Sequence, residues 1–166
     1  MDTKSKILEA VSEGTLGFAE AVARLAAAEG AVTDLGVARI DHARMARCGM
    51  PEFVYGAGKT VEQLLAIVPE ILRRTGSVLV TRVEPEAGRT LRERVPQGVH
   101  DPVAKVFAVQ NSARELRGNV AVVSAGTSDL GVALEAKYTL EECGVRSELV
   151  ADVGVAGIER LFASLD

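Results

Sequence analysis

Residues 4–28 carry apolar side chains at helical spacing in two pieces. Ile7, Leu8 and Val11 share a face, and Phe18, Val22 and Leu25 follow the i, i+4, i+7 rule. Gly14 and Gly17 punctuate the pair, with Ser12 and Thr15 as candidate caps, so the pattern predicts a helical hairpin. From Asp34 the period changes. Leu35, Val37 and Ile40 predict one short extended segment, and Phe53–Tyr55 predicts another. Between them lies the charged stretch DHARMARCGMPE, closed by Gly49 and Pro51. The clearest helix starts at Thr60, which with Gln63 forms a capping box. Val61, Leu64, Val68, Ile71 and Leu72 make its apolar stripe. Arg73 and Arg74 fall in its last turn, and Gly76 suits a left-handed stop. Ser77–Val83 is apolar and β-branched enough for a buried strand. Residues 84–102 read as irregular, with RTLRER giving a turn or two of helix, and Ala104–Val109 predicts a further strand.

Gly118 and Asn119 mark a boundary before a cleaner pattern. Strand Val120–Ser124, a loop, a helix from Leu130 to Cys143, the stop Gly144, strand Ser147–Val153 and a helix from Gly157 follow in turn. Ala133, Ala136, Leu140 and Cys143 lie on one stripe of the first helix. Two successive βα units imply a parallel sheet with right-handed crossovers. With two strands the sheet reads as unfinished, because a parallel sheet needs burial on both faces. An open strand edge there invites a second chain.

Composition narrows the class. The chain of 166 residues is 48% hydrophobic and 25% charged, the balance of a globular protein. No apolar run is long enough to span a bilayer, and MDTKSKILEA enters an amphipathic pattern without a signal core, so a cytoplasmic protein is expected. A net charge of −4 and 4% aromatic residues argue against nucleic-acid partners. Two cysteines, Cys48 and Cys143, and two histidines, His42 and His100, are too few for a disulfide or zinc framework. Clustered arginines (Arg39, Arg44 and Arg47; Arg89, Arg92 and Arg94) suit small anionic ligands.

Three places could carry chemistry. SAGTSD at 124–129 sits where a strand gives way to a helix. Ala125 and Gly126 let a ligand approach the backbone, while Thr127, Ser128 and Asp129 bring hydroxyl and carboxylate groups to the helix start. Free N–H groups and the helix dipole favour an anion there by ~0.3–1 kcal/mol per charge. Ser128 or Thr127 serves equally well as a plain N-cap. Neither a dinucleotide fingerprint nor a P-loop is present. The second place is Gly56-Ala57-Gly58-Lys59-Thr60, too short for a P-loop, where Lys59 could hold a phosphate or carboxylate or simply be a solvated lysine. The third is Asp41, Arg44 and Arg47, which could equally be an exposed charge group. Arg47 beside Cys48 could activate that thiol, but no base is placed near it. Cys143 reads as core.

The residues together resemble the LarB family of nickel-pincer cofactor biosynthesis, whose second domain is similar to the purine-pathway enzyme PurE. The match rests on DHARMARCGMPEFVYGAGKT at 41–60, VAVVSAGTSDLGVALEA at 120–136 and ADVGVAGIERL at 151–161, with SVLVTRVEP at 77–85 in support. The resemblance implies an α/β chain: a small family-specific α+β domain over 1–118, then the first half of a flavodoxin-like, PurE-like parallel-sheet domain over 119–166. It implies an enzyme that carboxylates the pyridinium ring of nicotinic acid adenine dinucleotide with CO2 or bicarbonate. The same enzyme hydrolyses the phosphoanhydride, leaving pyridinium-3,5-biscarboxylic acid mononucleotide and AMP. A cysteine would add to the ring and a base remove its proton, with Mg²⁺ assisting the hydrolysis. That cysteine belongs to a motif beyond Asp166, so the chain alone is expected to be an inactive fragment with no catalytic residue of its own. Substrate contacts are expected from Gly126, Thr127, Ser128 and Asp129, and from Asp41, Arg44, Glu52, Lys59 and Thr60. The family also implies a homo-oligomer, a dimer building toward an octamer, without nucleic acid or membrane partners. Gly131 stands where the family pattern has proline, and Glu159 where it has histidine. Two other readings are a PurE-like aminoimidazole ribonucleotide carboxylase and a non-catalytic nucleotide-binding paralogue.

Overall fold

The computed structural model describes residues 3–28, 32–110, 114–154 and 157–163, and the chain divides into two compact units, Met1–Glu52 and Phe53–Asp166. In the first unit, α1 (Thr3–Ser12) and α2 (Phe18–Ala28) form the expected helical hairpin. Its small core is Ile7, Leu16 and Ala21, with Ala10, Val11 and Leu25 packed against it. Leu8 and Phe18, expected on the apolar stripes, instead face solvent at 59% and 79% exposure. The buried face of α2 runs through Ala21 and Leu25, one step round from the predicted line. Ser12 and Thr15 do not cap the start of α2. Ser12 Oγ donates to the Glu9 carbonyl at 2.8 Å and Thr15 Oγ1 to that of Ala10 at 3.0 Å, so both close the end of α1. The extended segment predicted after Asp34 is an antiparallel hairpin, β1 (Val32–Asp34) and β2 (Arg39–Asp41). Leu35 N–H bonds the Ala38 carbonyl at 2.9 Å and Asp34 Oδ1 accepts from Gly36 N–H at 2.8 Å, so a tight turn interrupts the apolar run. The charged stretch that follows forms a short helix, α3 (Arg44–Cys48).

The second unit begins with β3 (Phe53–Tyr55), α4 (Val61–Thr75) and β4 (Val78–Thr81). Both halves of the Thr60–Gln63 capping box form, and Gly76 takes the left-handed stop at φ 72°. Strand β3 runs parallel to β4, and β6 (Val106–Val109) joins β4 antiparallel, with β5 (Val99–Asp101) on its far side. Between β4 and β5 lies α5 (Pro85–Arg94), ten residues of helix where the sequence suggested one or two turns. Pro85 stands at its start, where a missing N–H costs nothing, and Gly88 lets the His100 ring lie against the helix. Leu79, Ala104, Val106 and Ala108 form one buried cluster with Leu134 and Tyr138 of the helix α6 (Leu130–Glu142). Alternation turns Val78, Val80 and Phe107 to the other face, and all three are buried. Burial on both faces explains the nearly continuous apolar reading of β4 and β6.

Helix α6 also belongs to the βα pattern read at the end of the chain. Strand β7 (Arg117–Val123) pairs in parallel with β8 (Val145–Val150) across α6, as expected, and α7 (Ile158–Phe162) follows. Lys137 Nζ of α6 donates to the Ser147 carbonyl at 2.9 Å. Val122, Ser147 and Leu149 are at least partly covered, whereas Ala121, Val123, Arg146 and Glu148 of the opposite face are exposed. The expected family boundary at 118/119 falls within β7. At the far end of α6, buried Glu142 accepts from Ser77 Oγ at 2.7 Å and pairs with Arg114 at 3.5 Å. This polar tie between helix and sheet carried no sequence signal.

Candidate functional site

The loop that follows β7 is built by continuing the ladder past the strand ends. Ser124 N–H bonds the Val150 carbonyl at 3.0 Å, Val153 N–H the Ser124 carbonyl at 3.1 Å, and Gly154 N–H the Ala125 carbonyl at 2.9 Å. A Cβ on Gly154 would come within 2.8 Å of that Ala125 oxygen, so the close approach of the two loops requires glycine. Gly126 then turns the chain into a single 3₁₀ turn, Thr127–Asp129, which leads into α6. Asp129 Oδ2 accepts the Gly126 N–H at 3.2 Å, and Asp129 N–H returns to the Gly126 carbonyl at 3.0 Å. The carboxylate expected to meet a ligand therefore also shapes its own loop.

Thr127 and Ser128 are exposed, and neither caps α6, whose start has no side-chain cap. Of the two roles open from sequence, plain N-cap or ligand donor, the first is not taken. Ser124 Oγ, on which the sequence is silent, is buried and without a hydrogen-bond partner among the described residues. A serine ending an apolar strand gives no hint of that. By strand alternation it shares the face of Val122.

The Gly56–Thr60 loop lies in the same unit. Gly56 N–H bonds the Thr81 carbonyl at 2.7 Å, and a Cβ there would meet the same oxygen at 2.7 Å. Lys59 N–H returns to the Gly56 carbonyl at 3.0 Å, leaving the lysine side chain partly exposed at the entry to α4. Thr60 is occupied structurally: its Oγ1 accepts from Gln63 N–H at 3.3 Å. Glu62 is held below the usual carboxylate range by its own backbone N–H and by the Thr60 hydroxyl. The parallel pairing of β3 with β4 puts this loop at the end of the sheet where β4 finishes and the turn before β6 begins. Gly131, in the first turn of α6, lies against that turn; a Cβ on it would meet the Val103 carbonyl oxygen at 2.6 Å. Any side chain at 131, proline's included, would bring its Cβ against this carbonyl.

Asp41, Arg44 and Glu52 gather in the first unit. Asp41 Oδ1 accepts from Ala43 N–H at 3.1 Å, and Arg47 Nη2 reaches its Oδ2 at 2.5 Å. That guanidinium holds the Asp41 carboxyl below its ordinary range. Arg44 Nε and Glu52 Oε2 face each other at 3.7 Å, both atoms buried and neither hydrogen-bonded among the described residues. Burial pushes the Glu52 carboxyl up against the opposing pull of Arg44. One carboxylate is thus favoured and the other disfavoured in ionised form within a single cluster.

Cys48 is exposed and its Sγ donates to the Arg44 carbonyl at 3.0 Å, while His42 Nε2 lies 3.0 Å from Thr33 Oγ1. Burial, then Glu142, pushes the Cys143 thiol up. Glu159 is exposed on α7, beside Arg160, which pairs with Asp152 at 2.7 Å. Among the described residues, no group of three or more His, Cys, Asp or Glu is placed to hold a metal ion; a Mg²⁺ carried mainly by substrate phosphates and water needs no such group. Among them too, no helix is long and apolar enough to cross a membrane.

Comparison with known proteins agrees with this architecture. An uncharacterized protein of Methanocaldococcus jannaschii is 35% identical over 134 residues, 76% of this chain and 52% of that protein. The chain thus spans about half the length of the curated relative it matches. Residues 32–112 match the LarB/PurE-like N-terminal domain, covering the β1–β2 hairpin, α3 and the whole β3–β6 sheet. Residues 32–112 are thus similar to a LarB/PurE-like N-terminal domain, which supports a LarB-like protein.

Proposed function

We propose that this chain holds the nucleotide substrate of a nickel-pincer cofactor biosynthesis enzyme. The reaction would be carboxylation of the pyridinium ring of nicotinic acid adenine dinucleotide, with hydrolysis of its phosphoanhydride to the biscarboxylic mononucleotide and AMP. The observation that carries the reading is the 124–129 loop. Its Thr127 and Ser128 hydroxyls are exposed and uncommitted to capping, beside a helix start whose N–H groups favour an anion. Gly126 keeps the backbone open to a ribosyl phosphate, and Asp129 keeps the loop in shape. Lys59 offers a cation at the entry to α4, and Asp41, Arg44 and Glu52 a second charged cluster. CO2 or bicarbonate and Mg²⁺ remain the expected co-reactants of the complete reaction. The expected nucleophile is neither Cys48 nor Cys143, so on this reading the chain alone should bind without turnover.

Titration calorimetry with nicotinic acid adenine dinucleotide tests the reading. We expect saturable binding that weakens about tenfold when Thr127→Val and Ser128→Ala are combined, the loss of one or two hydrogen bonds to a charged group. Absence of binding would overturn it. Incorporation of labelled bicarbonate by the 166-residue chain would overturn the claim that it only holds the ligand.

A further inference from the structure

The local chemistry of Arg82, one residue past the end of β4, is not accounted for by the fold. Its backbone is left-handed at φ 54°, a conformation few side chains adopt. Lys105, which faces it where the β4–β6 ladder ends, is left-handed too, at φ 53°, and its carbonyl accepts Val83 N–H at 2.7 Å. Two non-glycine residues in this region, side by side, mark a place where local preference is overridden. Arg82 Nε donates to Glu135 Oε1 at 2.9 Å. The Glu135 side chain is 15% exposed and that of Arg82 is 48% exposed. The guanidinium is therefore gripped through Nε, while its Nη pair makes no hydrogen bond among the described residues. That pair is the edge that receives two oxygens of a phosphate or carboxylate at once.

The surroundings suit an anion. On one side is the Gly56–Thr60 loop, with a Cβ on Gly56 only 3.2 Å from the Arg82 carbonyl. On the other is the turn before β6, which carries Lys105 and whose Val103 carbonyl meets Gly131 at the start of α6. Glu135 stands five residues along α6 from Leu130, about 8 Å of helix axis. A ribosyl phosphate anchored at the 124–129 loop can cover that span.

We propose that Arg82 is an anion-contacting residue of this site, its Nη edge taking a phosphoryl group of the nucleotide, with Glu135 as the positioning residue that fixes the guanidinium. This rests on the reading of the 124–129 loop as the ligand cradle. It assigns the β3–β6 sheet a direct part in binding.

The test compares nicotinic acid adenine dinucleotide with nicotinic acid riboside, which lacks phosphate, by calorimetry. Arg82→Gln should weaken dinucleotide binding at least tenfold and leave the riboside unchanged. Arg82→Lys should recover only part of the loss, since an ammonium cannot grip two oxygens in one plane, and Glu135→Gln should cost about threefold. If Arg82→Gln does not fold, Arg82→Gly serves, because glycine accepts the positive φ. Equal weakening of both probes, or dinucleotide binding unchanged in Arg82→Gln, overturns the assignment while the cradle reading stands. No dinucleotide binding by the unaltered chain overturns both.

Discussion

Glu52 and Asp41 show how single side chains in one charged cluster take opposite electrostatic settings. Arg47 lies on Asp41 and favours its ionised form; burial disfavours that of Glu52, and Arg44 at 3.7 Å offsets this only in part. The sign of the resulting pH dependence follows by linkage. A carboxyl whose folded pKa is raised binds more protons folded than unfolded, so stability falls as pH rises from the ordinary value of 4.5 through the raised one. Asp41 acts the other way, contributing stability that is lost as pH falls below its ordinary 3.8. Thermal melts from pH 4 to 8 should therefore show Glu52→Gln flattening the decline on the neutral side, with Arg44 and Arg47 unaltered. An unchanged slope would mean that the Arg44 pairing cancels the burial cost. Nothing in the residue order announces this asymmetry, because a carboxylate's burial is a property of its neighbours in space.

At the scale of elements, the parts legible in the sequence were those whose signals are local. Helix α4 was readable because its capping box, apolar stripe and glycine stop lie within one stretch of chain. Strands β3, β4, β6 and β7 and helix α6 were readable from short apolar runs and the periodicity between them. The misreadings came from partners far along the chain. Helix α5 was underestimated because Gly88 looks like a breaker until the His100 ring is seen against it. Phe18 keeps the helical period but is exposed, because the buried face of α2 runs through Ala21 and Leu25. The 124–129 loop is legible as a strand-to-helix turn, but its buried Ser124 hydroxyl and the Arg82–Glu135 pair on α6 are not. Gly131 illustrates an element junction directly. Gly131→Ala would press a methyl group to 2.6 Å from the Val103 carbonyl, a backbone atom that cannot swing aside. We expect a loss of about 1–3 kcal/mol, read as a lower denaturant midpoint with an unchanged slope.

For the whole molecule, β7 is the consequential strand. It pairs on one side with β8, and its apolar residues Val120 and Val123 remain 39% and 56% exposed. An open hollow of about 500 Å³ lies alongside, lined by Asn119, Val120, Ala121, Arg146, Ser147 and Glu148. An apolar strand with a free edge is a template for another strand. We expect concentration-dependent association of the purified chain by light scattering, suppressed by Val123→Lys. A monomer at every concentration, with or without that change, would refute this. The parallel pairing has a further consequence, in time rather than in space. Strands β3 and β4 are joined through α4, and β7 and β8 through α6, so each pair closes over one intervening helix. Helix α6 alone serves both the second pair and the face of the β3–β6 sheet. We expect substitutions at Leu134 or Tyr138, which pack on the β4–β6 cluster, to slow refolding more than substitutions in α4, read by stopped-flow kinetics; equal effects would refute this.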